Sequence, residues 1–147
     1  MIVANSVVTG LPAYLGIRFV EMTRGPAGGR RLAVRDELLT PFKTLHGGVM
    51  AGLVDHVLGC VLYPLMPRGQ WAATTEFKLN YLAPVFAGAA SCAPSRRSWR
   101  SDGGPRSCRS RSRSGDQLVC VAQGTLLVSE PAKKVGGSSS PDSRAGP

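Results

Sequence analysis

The chain has 147 residues and a mass of 15.5 kDa, which leaves room for one domain and excludes two catalytic ones, because a single core organises about 100 to 200 residues. Hydrophobic residues make up 43% and charged residues 18%, enough to bury a core and incompatible with wholesale disorder. The net charge of +9 would point to a polyanion partner, but residues 91–115 hold seven of the 18 basic residues and one of the nine acids. The basicity is one local block, so nucleic acid is not the expected partner of the domain as a whole.

In chain order, Thr9 to Leu15 offers a capping threonine and a proline near the first turn, which predicts a short lead-in helix. Ile17 to Met22 and Arg31 to Arg35 mix branched and polar residues around the turn composition Arg24-Gly25-Pro26-Ala27-Gly28-Gly29, which predicts a hairpin. Gly47 to Tyr63 is apolar on nearly every side and reads as a helix in the middle of the structure, stopped by Pro64 and Pro67. The apolar run Val49 to Met66 is interrupted by Asp55, His56 and Pro64, so it fails as a membrane span. Gln70 to Leu82 alternates cleanly, with Thr75, Phe77, Leu79 and Tyr81 on one face and Glu76, Lys78 and Asn80 on the other. Gln117 to Ser129 makes a last long strand, with Gly124 as the candidate bulge. Lys133 to Pro147 is rich in Gly, Ser and Pro and is expected to be a disordered tail. Two strands, a buried helix and a run of strands predict an α+β fold in which an antiparallel sheet wraps one long helix, over residues 1–130.

Cys60, Cys92, Cys108 and Cys120 fall at irregular spacings without a C-x-x-C, and there are two histidines. Neither a zinc site nor a redox pair is indicated, and buried free thiols are expected. The N-terminal sequence lacks a basic stretch followed by an apolar run and a small-residue cleavage site, which argues for a cytoplasmic protein.

The chemistry concentrates at Leu45-His46-Gly47-Gly48 and at Asp55. Two glycines at a helix start let a ligand approach the backbone, and first-turn N–H groups have no intrahelical acceptor, so this end can stabilise an oxyanion. A plain flexible turn is the competing reading. Asp55 lies between Val54 and His56 with Leu53, Val57 and Leu58 nearby, and a carboxylate buried there costs several kcal/mol unless it is paired or serves a site. It is either a base or nucleophile, or a structural carboxylate. Gly47 and Asp55 are separated by about 12 Å along a helix, too far for one carbonyl to meet both. The spacing predicts a two-fold dimer in which Gly47 of one chain faces Asp55 of the other.

Three segments resemble the hotdog-fold acyl-CoA thioesterases, in the phenylacetate-degradation branch of the 4-hydroxybenzoyl-CoA thioesterase superfamily: TLHGGVMAGLVDHVLG (Thr44 to Gly59), ATTEFKLNYLAP (Ala73 to Pro84) and AQGTLLV (Ala122 to Val128). The resemblance implies hydrolysis of an acyl-CoA thioester without metal or cofactor, by a homodimer or dimer of dimers away from any membrane. It implies that the Gly47 N–H receives the thioester oxygen, that Asp55 activates water or attacks the carbonyl, that Thr74 assists the water, and that His46 orients the group at the mouth. Gly48, Thr40 and Thr75 are placed beside the substrate. Thr40 stands where the family often has asparagine, and Phe42 and Lys43 occupy a region where it usually has glycine. A non-catalytic acyl-CoA-binding protein and a basic polyanion-binding module are the alternatives.

Residues 91–115 should hold the family's fourth and fifth strands, yet eight serines and seven arginines give no apolar alternation. Three readings are open: a charged segment that binds RNA, a solvated loop inserted in the sheet, or a stretch read in a shifted frame. In the last, codons GTC GAG for Val-Glu become TCG AGG for Ser-Arg. Serine and arginine would then face the helix, with a heavy penalty for unpaired buried charge.

Overall fold

The computed structural model describes residues 9–21, 29–63, 66–86, 88–97 and 106–129, with the backbone alone for residues 19–21, 29, 88–97 and 106. Helix α1 (Gly10–Leu15) closes on Gly16, whose φ of 72° lies in the left-handed region that glycine tolerates. Arg35 Nη2 donates to the Tyr14 carbonyl at 3.0 Å and holds that helix end. Strands β1 (Ile17–Glu21) and β2 (Gly29–Val34) form the expected antiparallel hairpin, with Ile17 opposite Leu32. A short 3-10 turn, Asp36–Leu38, follows; nothing in the sequence pattern announced it.

Helix α2 (Gly47–Cys60) is followed by β3 (Trp71–Tyr81), β4 (Gly88–Arg97), β5 (Arg106–Ser114) and β6 (Gln117–Ser129). The six strands form one antiparallel sheet in the order β1-β2-β4-β5-β6-β3. α2 lies across its inner face, as the α+β reading required. Strand β3 has 11 residues and sits at the sheet edge, paired only with β6 among the described residues. Among the described residues no helix is long and apolar enough to cross a membrane. The tail from residue 131, Met22, and most of the turn between β1 and β2 lie outside the described residues.

α2 is not buried all round. Met50, Leu53, Val54, Val57 and Leu58 face the sheet and are buried, each worth about 1.5 to 3 kcal/mol when removed from water. The sheet reaches only that side; Gly48 and Asp55, on the other, are exposed, and Ala51 and Gly59 are half-buried.

The basic block corrects two expectations. It is not an inserted loop, because its last part is β5, paired along its length to β4 and β6. Nor do the described arginines of β5 face the helix. Cys108, Ser110 and Ser112 point inward at 0%, 1% and 0% exposure, while Arg109, Arg111 and Arg113 are exposed. A strand alternates faces with period two, and serine–arginine repeats satisfy that period with the small side chain inside. The cost falls on hydroxyls instead: the Oγ atoms of Ser110 and Ser112 have no hydrogen-bond partner among the described residues. Of the cysteines, Cys60, Cys108 and Cys120 form no disulfide among the described residues, and the last two are buried.

Gly124 is not a bulge. It pairs in register with Phe77 and Cys108, and the irregularities lie at Thr74/Glu76 and Ser112/Arg113. Glycine is required there by closeness: a Cβ would sit 2.9 Å from the Glu76 carbonyl oxygen, 2.9 Å from Phe77 Cβ and 3.0 Å from Leu58 Cδ1. The inner surface of β5 and β6 carries a run of small side chains, Cys108, Ser110, Ser112, Cys120, Ala122 and Gly124, followed on β6 by the fully buried Leu126.

Candidate active site

The approach to α2 is a tight loop. The Thr40 N–H donates to the Thr44 carbonyl at 2.7 Å and the Lys43 N–H to the Thr40 carbonyl at 2.9 Å. Lys43 takes a φ of 61°, a conformation that glycine adopts freely and lysine does not. The Leu45 N–H donates to the Val85 carbonyl at 2.7 Å and the His46 N–H to the Leu38 carbonyl at 2.9 Å, so the residue that starts the helix is tied from both sides.

His46 caps α2. Its Nδ1 accepts from the Gly48 N–H at 2.9 Å, which places the proton of a neutral ring on Nε2. Its carbonyl accepts from Val49 at 3.0 Å and Met50 at 3.3 Å. The Gly47 carbonyl accepts from the Tyr81 hydroxyl at 2.8 Å. The Gly47 N–H has no acceptor among the described residues, at the positive end of a 14-residue helix. An anion or carbonyl oxygen has one well-defined donor here, and it is Gly47. The expectation that Gly48 also serves substrate is corrected in part, since its N–H is taken by His46.

Two turns further on, Asp55 lines an open cleft of about 690 Å³ with His56, Cys60, Thr74, Thr75 and Phe77. The expectation that it is sequestered among oily neighbours does not hold within one chain: Asp55 is exposed. Val54 and His56 adjoin it in sequence but project from other sides of a helix that turns about 100° per residue. Thr74 is half-buried and its hydroxyl has no partner among the described residues. Thr75 is the extra residue of the β3 irregularity, and its hydroxyl donates to the Thr125 carbonyl at 3.0 Å. Thr40 does not line the cleft. Its hydroxyl is engaged within the loop, with Thr44 Oγ1 at 3.0 Å and the Phe42 N–H at 3.3 Å.

The structure thus gathers Asp55, Thr74 and Thr75 at one place, and His46, Gly47 and Gly48 at another, on the same helix. Along α2 the two are separated by about 12 Å.

Behind the cleft lies a polar cluster that the sequence did not reveal. Arg30 is buried at 4% exposure, hydrogen-bonded to the Cys60 thiol, and Cys60 Sγ is 3.8 Å from His56 Nε2. Burial first, and the Arg30 charge second, hold the His56 pKa below its usual 6.5, while Asp55 pulls the other way. Burial pushes the Cys60 thiol up despite the opposing Arg30 charge, so it stays a neutral thiol and a poor nucleophile. Among the described residues no three His, Cys, Asp or Glu side chains converge on a metal position. Tyr81 was also missed as a functional residue. Its one visible signal was phase: it shares the helix-facing side of β3 with Phe77 and Leu79.

Comparison with known proteins bears on this arrangement. Residues 42–96, from the loop through α2 and β3 into β4, match the family model described as Thioesterase superfamily. Thioesterase HI1161 from Haemophilus influenzae superposes with a TM-score of 0.77 at 20% identity, over 84% of this chain and 85% of that one. BH2602 from Bacillus halodurans, solved with CoA, gives 0.76 at 22% identity over 84% and 81%. The PaaI protein of the Escherichia coli phenylacetic acid degradation operon gives 0.67 at 18% identity over 79% and 81%. No curated protein sequence matches the chain.

Proposed function

We propose that this chain, a hotdog-fold protein of the thioesterase superfamily, hydrolyses acyl-CoA thioesters to the free acid and CoA, with each site shared between two copies of the chain. The observation that carries the reading is the division of labour on α2: an N–H without an acceptor at its start, and a carboxylate opening into a cleft eight residues later. Neither half suffices alone. Antiparallel neighbouring helices around a two-fold axis would bring Gly47 of one chain to Asp55 of the other and remove that carboxylate from bulk water. The edge of β3, unpaired among the described residues, suits such an assembly, because a long edge strand is a template for a second copy. A dimer of dimers is compatible with the same contact.

In the reaction, the thioester oxygen takes the Gly47 N–H, which stabilises the negative charge that develops there. Asp55 accepts a proton from water, which attacks the carbonyl carbon, or attacks that carbon itself. The Thr74 hydroxyl holds the water. The tetrahedral intermediate expels CoA as thiolate, which takes the proton that Asp55 accepted; on the direct route the thiolate leaves an acyl-Asp55 anhydride, which water cleaves to the free acid, regenerating the carboxylate and supplying the proton to CoA. His46 fixes the helix start by its cap and stands at the entrance. The CoA bound to BH2602 supports CoA as the carrier for this chain.

The test is thiol release from a panel of acyl-CoAs, wild type against Asp55→Asn. The variant should lose about 10²- to 10⁴-fold in kcat and keep acyl-CoA binding. Unchanged turnover would remove Asp55 from the mechanism, acyl-CoA binding without thiol release in the wild type would favour the non-catalytic reading, and a fully active monomer by analytical ultracentrifugation would refute the shared site. One observation favours a second activity: Lys78, Arg109 and Arg111 line a groove of about 560 Å³ with Asn80 and Gln123. A polyanion would bind there with an affinity that falls steeply with salt.

A further inference from the structure

We propose that Tyr81 is a positioning residue for the thioester oxygen: its hydroxyl, bonded to the Gly47 carbonyl, fixes the direction in which the Gly47 N–H points. The inference rests on the reading of that N–H as the oxyanion donor.

Two successive glycines form the first turn of α2, and no side chain of their own restrains φ and ψ there. The restraint is supplied from outside. The His46–Gly47 peptide is held through its carbonyl by Val49 and Met50, and the Gly47–Gly48 peptide is held at its N–H by His46 Nδ1. Both anchors belong to the helix start itself. The remaining end, the Gly47 carbonyl, accepts from the Ala51 N–H along the helix and, from outside it, from the Tyr81 hydroxyl at 2.8 Å, on the last residue of β3. This is the bond that ties the glycine pair to the sheet. Without it the glycine pair is held by bonds of the helix start alone, and a rotation of that first turn against the sheet re-aims the Gly47 N–H.

The ring acts as well as the hydroxyl. A Cβ on Gly47 would lie 3.0 Å from the Tyr81 oxygen and 3.1 Å from Cζ, so the phenol occupies the space a side chain would take at this position. Glycine is needed at 47 to admit Tyr81, not to reach an unusual backbone conformation; its φ is not positive. Tyr81 is 56% exposed, which leaves the rest of its ring as a wall beside the donor. Burial raises its pKa, so the hydroxyl remains a protonated donor through the neutral range. An exposed tyrosine contributes little to the core, yet this one holds the carbonyl of the glycine whose N–H the proposed chemistry uses.

The experiment uses the assembled protein with Asp55→Asn, which holds an acyl-CoA uncleaved, and a substrate carrying a ¹³C-labelled thioester carbonyl. The infrared carbonyl band should move to lower frequency on binding, and adding Tyr81→Phe should remove at least half of that shift. In the otherwise wild-type protein, Tyr81→Phe should lower kcat about tenfold with KM changed less than twofold, since misplacement of a reacting group by about 1 Å costs on the order of 100-fold. Its thermal midpoint should stay where it was. A full band shift in the double variant, an unchanged kcat, or a loss confined to KM would each overturn the proposal. Absence of any band shift with Asp55→Asn alone would overturn the Gly47 donor reading, and this inference with it.

Discussion

Ser110 and Ser112 are buried at 1% and 0% exposure with hydroxyl oxygens that have no partner among the described residues, and removing those hydroxyls should stabilise the protein. In the unfolded chain each hydroxyl is hydrogen-bonded to water; folding strips that water away, at a cost of about 1 to 3 kcal/mol per orphaned group. Alanine keeps the Cβ and forfeits only a few atom contacts of about 0.1 to 0.2 kcal/mol each. The balance favours Ser110→Ala and Ser112→Ala by roughly 1 kcal/mol apiece, and the two together by about 2 kcal/mol. Urea unfolding reads this as a higher midpoint at constant slope. Arg111→Ala, on the exposed face of the same strand, serves as the control and should move stability by less than about 0.5 kcal/mol. A double variant with an unchanged or lower midpoint would refute the reasoning, because the hydroxyls would then be satisfied and β5 would not present that face to α2.

Lys43→Gly should raise stability by about 0.5 to 1 kcal/mol in thermal unfolding, the relief of a positive φ less the added chain entropy of glycine. Gly124→Ala should destabilise by about 1 to 3 kcal/mol, because its Cβ meets the Glu76 carbonyl at 2.9 Å and Leu58 at 3.0 Å, and either β3 or α2 must shift. Stability should fall as pH drops below the 6.5 of an ordinary histidine. Above that value His56 is neutral folded or unfolded; below it the unfolded chain binds a proton that the folded chain resists, until the depressed folded value is reached. His56→Gln should flatten that part of a stability-versus-pH curve, and an unchanged slope would exclude His56 as its source. Co-assembly of Gly47→Ala chains with Asp55→Asn chains should restore about one quarter of wild-type turnover, because half of random dimers are mixed and each carries one intact site. No recovery on mixing would exclude a site built across chains.

The legible parts of the fold were those in which side-chain period and burial coincide. β3 was delimited to within a residue by alternation, β6 by its run of branched and apolar residues, and α2 was located by its apolar density. Asp55 shows where that logic stops: Leu53 and Val54 precede it in sequence, but a helix carries them to the sheet and turns the carboxylate to the open side. The serine–arginine strand was misjudged because alternation was sought in hydrophobicity, whereas β5 alternates in size. The shifted-frame reading accords with this phase, since GTC overlaps TCG and GAG overlaps AGG. Valine would replace the inward Ser110 and Ser112, and glutamate the outward Arg109, Arg111 and Arg113. Gly124 was assigned a backbone role when the constraint came from Leu58, Glu76 and Phe77. At the site, Gly47, Asp55 and Thr74 could be nominated from residue type and spacing. Tyr81 and the Arg30–Cys60–His56 cluster could not, since each depends on contacts between segments distant in the chain.

The shallow seat under α2 has a consequence for how the protein tolerates change. Donor and carboxylate ride on one rigid rod, which at Gly124 passes so close to the sheet that a single added Cβ would lie 3.0 Å from Leu58 Cδ1. Any thicker residue in that seat lifts both reacting groups together, so variation there should register in turnover before it registers as loss of folded protein.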